Sequence, residues 1–222
     1  NNLIGVAAGG AITIGQYNVA NGHGALSSNI LTDANVAVGF QALQAFVGDG
    51  STNNQTTYNT AVGYRAGYAL STGARNTLIG GLAGDTITTG NFNTALGYQA
   101  LAAEDTGNYN TAIGYKALAL QDAGDAYNTA VGFSAGENMT TGVNNTLIGS
   151  LAGDALTTGV QNVAVGYQAL STENAHGTVV AVGFQALKTQ DAGANTYNVA
   201  VGYQAGVAVT TGIYNTLVGG LA

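Results

Sequence analysis

Few residues of this chain have side chains that could do chemistry, and their spacing does not bring them together. The two histidines, His23 and His176, occupy different places in the sequence and share no acidic partner by spacing. A metal site or a catalytic triad needs several such groups to converge. We therefore predict no catalytic, cofactor-binding or metal-binding residues, no cofactor and no enzymatic activity.

Acidic residues and threonines form rows that a ligand could meet. Asp105, Asp122 and Asp191 share one place late in their repeats, and Asp85 and Asp154 share another. A cation could bind such rows, but the calcium-binding nonapeptide of β-rolls is missing. Threonine pairs would suit an ordered surface such as ice or crystalline polysaccharide if they occurred in every repeat. They are clear in only some repeats: Thr88 with Thr89, Thr157 with Thr158 and Thr210 with Thr211.

All of these residues are carried by one repeat, Asn-Thr-Ala-Val-Gly-Tyr-x-Ala, as at 59–66. Nine of the twelve spacings between successive copies are 17 residues. A period this short and strict predicts a solenoid, in which each coil stacks only on its neighbours. The thirteen coils begin at Asn1, Asn18, Asn35, Asn59, Asn76, Asn93, Asn110, Asn128, Asn145, Asn162, Val179, Asn198 and Asn215.

Counted from the opening residue, several positions of the coil are nearly invariant. The fifth is always Gly and the eighth always Ala, and the fourth is aliphatic except at Asn21. An invariant Gly indicates a positive φ or a close backbone approach, and an invariant Ala indicates a site without room for more. The opening Asn predicts a hydrogen-bonded ladder or a left-handed turn residue, with a row of amides offered to a ligand as the alternative.

The β-branched and aromatic content favours strands over helices. We predict an all-β parallel β-solenoid, a β-roll of about 13 coils of 17 residues. Each coil is expected to contain one firm strand, a turn, a shorter strand and a second turn. Successive coils should lie roughly 4.8 Å apart.

A second period of four coils is superimposed on the first. Coils of the first kind carry Leu at the third position and a small residue or Val at the sixth, whereas the others mostly carry Ala and then Tyr or Phe. We interpret this as an exchange of one large side chain for another within a packed layer. The first and fourth kinds also have Gly at the ninth position and an apolar twelfth, whereas the second and third kinds have Leu at the ninth.

Length variation is confined to the third kind of coil, which has 24, 18 or 19 residues. The extra residues fall at 48–58, 121–127 and 190–197 and should bulge from one edge of the solenoid. They are either tolerated surface loops or binding loops, because solenoids often bind through insertions on one face.

Composition excludes several classes of partner. Only 7% of residues are charged, against about 25% in an ordinary domain, and the net charge is −7. The acidic balance argues against nucleic acid, and no run is long and apolar enough to insert into a membrane. Low charge with much Gly, Thr, Asn and Ala suits an extracellular fibre, and we expect residues 1–222 to be one repeat array within a longer fibre.

The repeat resembles two overlapping groups of proteins. The Val-Ala-Val-Gly segments at 36–39, 163–166 and 199–202 resemble the repeat of the heads of YadA-type trimeric autotransporter adhesins. The segments 93–101 and 162–170 resemble NTAVGYQAL-type repeats of bacterial surface proteins and phage tail fibres. The resemblance implies a left-handed β-roll with three identical chains side by side, although this coil is longer than the adhesin coil.

These observations predict a structural, extracellular fibre, adhesin or tail-fibre segment at a cell surface or on a virion. Its partners would be identical chains, as a homotrimer or filament, and a host-surface glycan or protein. Apolar columns, centred on the aliphatic fourth or aromatic sixth position, should join the chains, unless the aromatic rings fill the roll's own interior. The alternatives are a purely structural self-assembling filament and a monomeric solenoid that binds an ordered surface through its Thr rows.

Overall fold

The computed structural model describes residues 1–48 and 55–222. Residue contacts group the chain into two compact units, Asn1–Asn110 and Thr111–Ala222. Each unit is a stack of coils, and each coil contributes one three-residue strand to a parallel sheet. Among the described residues there is no helix, and hence none of the length and hydropathy needed to cross a membrane.

Six long-sheet strands and a separate two-stranded pair belong to the first unit, and seven strands belong to the second. The first unit contains β1 (Asn2–Ile4), β2 (Val19–Asn21), β3 (Thr32–Asp33), β4 (Val36–Val38), β5 (Gln55–Thr56), β6 (Thr60–Val62), β7 (Thr77–Ile79) and β8 (Thr94–Leu96). The second contains β9 (Thr111–Ile113), β10 (Thr129–Val131), β11 (Thr146–Ile148), β12 (Val163–Val165), β13 (Val180–Val182), β14 (Val199–Val201) and β15 (Thr216–Val218).

The strands pair so that every position of the coil faces its own counterpart. Leu78 of β7, for example, pairs with Ala61 of β6 and Ala95 of β8, all at the third position. All three are fully buried, whereas the flanking second and fourth positions are partly or largely exposed. The predicted all-β parallel solenoid is therefore confirmed, and its left-handedness stays a prediction.

The rest of the coil differs from the prediction. Apart from the short pair β3 and β5, the described coils contain no second strand and run through consecutive turns instead. The reason is a positive φ at the seventh, ninth and seventeenth positions, as at Gln99 and Leu101, which both have φ of 54°. An extended strand needs negative φ throughout, so the chain bends at each of these residues.

Glycine at the fifth position is required by how closely the coils approach. Gly149 has φ of 131°, and a Cβ atom there would lie 2.5 Å from the carbonyl oxygen of Gly166 in the next coil. The same overlap recurs along each unit, as between Gly80 and the carbonyl of Gly97. The predicted column of stacked glycines is confirmed.

The four-coil order follows from how leucine side chains fill the interior. Leu147, at the third position, is fully buried, and its methyl carbons lie 2.8 Å from where a Cβ of Gly136 or of Gly153 would stand. Leu at the third position thus requires Gly at the ninth position of its own coil and of the preceding coil. Coils of the second and third kinds have Ala at the third position and place a buried Leu at the ninth, such as Leu170.

The predicted exchange of volume between the third and sixth positions is wrong. The third position faces the interior, whereas the aromatic sixth position is exposed, for example by 43% at Tyr167. The exchange that conserves interior volume is between the third and ninth positions. The eighth-position Ala column is buried, as predicted, with Ala100 and Ala169 fully inaccessible to solvent.

The opening asparagines form a buried ladder. The backbone N–H of Asn93 donates to Oδ1 of Asn76 at 2.9 Å, and Nδ2 of Asn76 donates to the carbonyl of Gly90 in its own coil at 2.8 Å. The side-chain amide of Asn76 thereby links its coil to the next coil and also bridges two segments of its own coil. Asn76 and Asn93 are fully buried, so the ladder is confirmed and the alternative of amides offered to a ligand is wrong.

Two of the three insertions can be followed, because residues 49–54 of the first lie outside the described residues. Gly124 and Gly193 have open space where a Cβ would stand, so both segments bulge as predicted. Each is anchored by a buried glutamine that accepts a hydrogen bond from the next opening asparagine. These bonds join Asn128 Nδ2 to Gln121 Oε1 at 2.9 Å and Asn198 Nδ2 to Gln190 Oε1 at 2.7 Å.

Substitution of the stacked glycine should be costly. We expect Gly149→Ala to lower the free energy of unfolding by at least about 2 kcal/mol, because strain at positive φ adds to overlap with the neighbouring carbonyl. Gly124→Ala is the matched control, since Gly124 also has positive φ (64°) but nothing within 4 Å of the added carbon. It should cost only about 1 kcal/mol. Equal effects of the two variants in urea unfolding would contradict the close approach.

Enlarging the buried alanine column should also destabilise the fold. We expect Ala100→Leu to cost about 1–3 kcal/mol, because the added atoms must enter a filled interior. Ala194→Leu, at an exposed alanine of an insertion, should change stability by less than about 0.5 kcal/mol. A thermal melt of Ala100→Leu that matches the unsubstituted protein would show that the column is not tightly packed.

Candidate functional site

Aromatic rings at the sixth position stand on the outer surface in stacked columns. In the first unit, Phe40 stacks between His23 and Tyr64, with ring centroids 5.3 and 5.5 Å apart. In the second unit the stacked pairs are Tyr115–Phe133, Tyr167–Phe184 and Phe184–Tyr203, at 5.1, 5.4 and 5.3 Å. The Tyr and Phe rings at this position are 39% to 55% exposed. The alternative that they fill the roll's interior is therefore wrong.

A second aromatic column directly precedes the opening residue, at the last position of the coil, which is the seventeenth in coils of ordinary length. Phe92 stacks on Tyr109 at 5.2 Å, and Tyr197 stacks on Tyr214 at 5.4 Å. All four residues have positive φ, between 52° and 63°, which is uncommon for aromatic residues. Sequence reasoning missed this column, although the aromatic residues directly before many opening asparagines were a visible signal.

The strand surface between the two columns is also apolar or uncharged. Tyr127, at the end of one coil, and Thr129, Val131 and Phe133 of the next are alternate residues that reach the surface, whereas Ala130 between them is buried. We call the second, fourth, sixth and last positions of the coils the aromatic face of each unit. An exposed apolar surface that extends over many coils is typical of an interface.

Acidic residues are segregated from the aromatic face. All eleven acidic residues of the sequence fall between the tenth and sixteenth positions of their coils or in the insertions. Three of the four basic side chains instead lie against aromatic rings: Arg65 is 4.1 Å from the Tyr68 ring, Arg75 is 5.2 Å from Phe92, and Lys116 is 5.7 Å from Tyr115. The face therefore carries no negative charge of its own.

The pKa values of three acidic residues are shifted, and not all in the same direction. Burial raises the pKa of Asp154, its own backbone hydrogen bond partly offsets this, and the neighbouring carboxylate of Glu137 raises it further. Burial also raises the pKa of Asp85, but Arg65, whose guanidinium lies 4.0 Å away, pulls it down in part. For Glu137, burial is outweighed by hydrogen bonds from Ser134 and Lys116 and by the charge of Lys116, so its pKa is lowered.

The threonine rows are used within the solenoid. The hydroxyl of Thr140 donates to the carbonyl of Thr157 at 3.2 Å, and that of Thr157 donates to the carbonyl of Asn174 at 3.1 Å. Thr158 bonds in the same way to Ala175 at 3.4 Å. A hydroxyl that donates to the next coil cannot donate to an ordered surface as well, which disfavours a role of these rows in binding ice or polysaccharide.

Two fully buried carboxylates occupy the twelfth position, and one of them contacts a histidine. Oε1 of Glu173 lies 3.2 Å from Nδ1 of His176, an acidic partner that comparing the two histidines in the sequence did not reveal. Asp191 lies beside them, and one ligand atom from each of the three residues is within 4.8 Å of the others. Within residues 1–48 and 55–222, this is the one group of three such side chains close enough to hold a metal ion.

Comparison with known proteins does not assign the chain to a family. No protein-family description, no characterised protein and no solved structure matches it.

Removing the disfavoured charge at Asp154 should stabilise the protein at neutral pH. Because its pKa is raised on folding, stability falls as pH rises from the unfolded pKa through the folded pKa, and stays lower above it. We therefore expect Asp154→Asn to melt at a higher temperature than the parent protein at pH 7. The difference should vanish in strong acid, where the aspartic acid is protonated in both states.

Asp85→Asn serves as the control for that measurement. Its pKa is also raised by burial, but the substitution sacrifices the ion pair with Arg65, so its gain at neutral pH should be smaller. A gain for Asp154→Asn that persists unchanged in acid would contradict an electrostatic origin.

Proposed function

We propose that this chain is a segment of an extracellular structural fibre of the adhesin or tail-fibre kind, in which identical chains join side by side through the aromatic face. The observation that carries the proposal is the two columns of stacked, half-exposed rings that flank an uncharged strand surface in each unit. Aromatic residues are the commonest anchors of protein interfaces. Three chains per fibre is our preferred assembly, since the sequence resembles trimeric adhesin heads.

A second copy of the same chain suits this face in geometry. Rings that stack 5.1 to 5.5 Å apart repeat at the coil spacing. An identical chain has the same spacing, so contacts made at one coil can recur at the next without a mismatch. A partner with another period would lose register after a few coils.

Charge also favours a second copy over an unrelated acidic partner. All eleven acidic residues lie at positions away from the aromatic face. Joining two such faces buries the rings and leaves the acidic positions outside the interface. Mutual repulsion between the chains is thereby kept low, because exposed charges separated by more than about 10 Å are screened at ordinary salt.

The role that follows is rigid display and attachment. Continuous backbone ladders between coils give stiffness, and a contact repeated from coil to coil allows avidity to replace strong binding at a single site. Apart from Tyr127 and Tyr197, the insertions at 121–127 and 190–197 lie outside the aromatic face and could meet a glycan or protein on a host surface. The function needs no catalytic group.

Sedimentation of the purified chain tests the assembly. We expect the parent protein at micromolar concentration to sediment as three chains. The triple variant Tyr167→Ser, Phe184→Ser and Tyr203→Ser should sediment as a monomer with an unchanged circular dichroism spectrum, because these rings are half-exposed and contribute little to the interior.

Leu120→Ser is the matched control, because Leu120 is 47% exposed but lies at the eleventh position, off the aromatic face. It should leave the assembly intact. A folded parent monomer at micromolar concentration would end the proposal, and polymers of indefinite length would replace the trimer with a self-assembling filament.

A further inference from the structure

Two buried glutamates at the same coil position have different surroundings. Glu104 in the first unit and Glu173 in the second both occupy the twelfth position and are fully buried. Oε1 of Glu104 accepts the backbone N–H of Gly107 at 2.7 Å, and Oε2 accepts Nδ2 of Asn110 at 3.3 Å. Amide donors therefore supply hydrogen bonds to this carboxylate.

The coil of Glu173 changes the residue at both donor positions, although the backbone N–H of His176 still donates to Oε1 of Glu173 at 3.2 Å. The glycine at the fifteenth position is replaced by His176, and the opening asparagine of the following coil is replaced by Val179. Val179 has no side-chain amide to donate. It is also the single interruption of the opening-asparagine column in the sequence, so the repeat changes twice around one carboxylate.

The replacements create a mixed set of ligands. Nδ1 of His176 lies 3.2 Å from Oε1 of Glu173, and the partly exposed ring lies next to exposed Asp191 from the following coil. Two atoms that bind a tetrahedral ion at about 2.0–2.2 Å lie roughly 3.3–3.6 Å apart. The 3.2 Å between Oε1 of Glu173 and Nδ1 of His176 is close to this distance between two ligand atoms. The exposed side chain of Asp191 can move inward to supply the third ligand atom.

Neighbouring residues hold the buried ligand in place. Nε2 of Gln190 donates to Oε2 of Glu173 at 3.2 Å and to Oγ1 of Thr196 at 2.9 Å. Oε1 of Gln190 in turn accepts Nδ2 of Asn198 at 2.7 Å. Carboxylate ligands of metal sites are commonly oriented by such outer hydrogen bonds.

From this geometry we propose that Glu173, His176 and Asp191 bind one divalent transition-metal ion, for which Zn²⁺ is the best match. One imidazole nitrogen and two carboxylate oxygens are a donor set that zinc accepts, with water at the fourth position. The ion would link the coil that opens at Asn162 to the coil that opens at Val179. It would connect the two coils where the asparagine ladder is interrupted.

Zinc titration of the purified, chelator-treated chain at neutral pH tests the site. Isothermal calorimetry should report one Zn²⁺ per chain. We expect His176→Gln and Asp191→Asn each to weaken zinc affinity at least tenfold, whereas His23→Gln should leave it unchanged. In parallel, nuclear magnetic resonance of the histidine rings should show a zinc-dependent shift at His176 and none at His23.

Asp191→Asn should fold like the parent protein, because Asp191 is exposed, so a loss of zinc binding in this variant cannot be attributed to unfolding. Three results would each overturn the proposal: no binding at micromolar Zn²⁺, unchanged affinity in both His176→Gln and Asp191→Asn, or equal ring shifts at both histidines. None of these results depends on whether the chains associate through the aromatic face.

Discussion

The coils of this protein are held at the spacing of hydrogen-bonded parallel strands, so each residue lies directly against the residue at the same position in the next coil. The pairing of Leu78 with Ala61 and Ala95 shows the register that results. Every other feature depends on this constraint, because a side chain is tolerated only if it fits against the residues at the same position of the neighbouring coils. Glycine at the fifth position satisfies it by having no side chain where two backbones nearly touch.

Stacking of identical residues is favourable for some side chains and unfavourable for others. Asparagine amides stack favourably because each has both a donor and an acceptor, and aromatic rings stack face to face at 5.1 to 5.5 Å. Carboxylates at one position repel, so Glu137 adds to the burial that mainly raises the pKa of Asp154. Leucine can occupy the ninth position of two successive coils, as Leu101 and Leu118 do, but Leu147 at the third position leaves room only for glycine at the ninth, and the order of four coils results.

The interior residues and the surface residues of the coil therefore have separate roles. The interior columns of Ala, Leu and Asn fix the fold. The surface divides into an aromatic face without acidic residues and an acidic remainder. A chain built this way can vary its surface without disturbing the coil, and the insertions after Leu118 and Leu187 do so while a buried glutamine keeps the coil closed.

The sequence by itself determined the period, the parallel solenoid, the glycine and alanine columns and the asparagine ladder. These could be predicted because, in a stack, the composition of a column records the environment that all its members share. The exposure of the aromatic sixth position was not determined, since an aromatic column fits either an interior or an interface.

Tertiary structure alone decided that question, together with the path of the chain after the strand. Positive φ at residues such as Gln99 and Leu101 sets the direction of the side chains that follow. Glutamine and leucine do not favour positive φ, so the sequence does not predict these bends. For the same reason only the folded chain shows that Glu173, His176 and Asp191 meet. Their distance depends on turns whose backbone angles the sequence does not reveal.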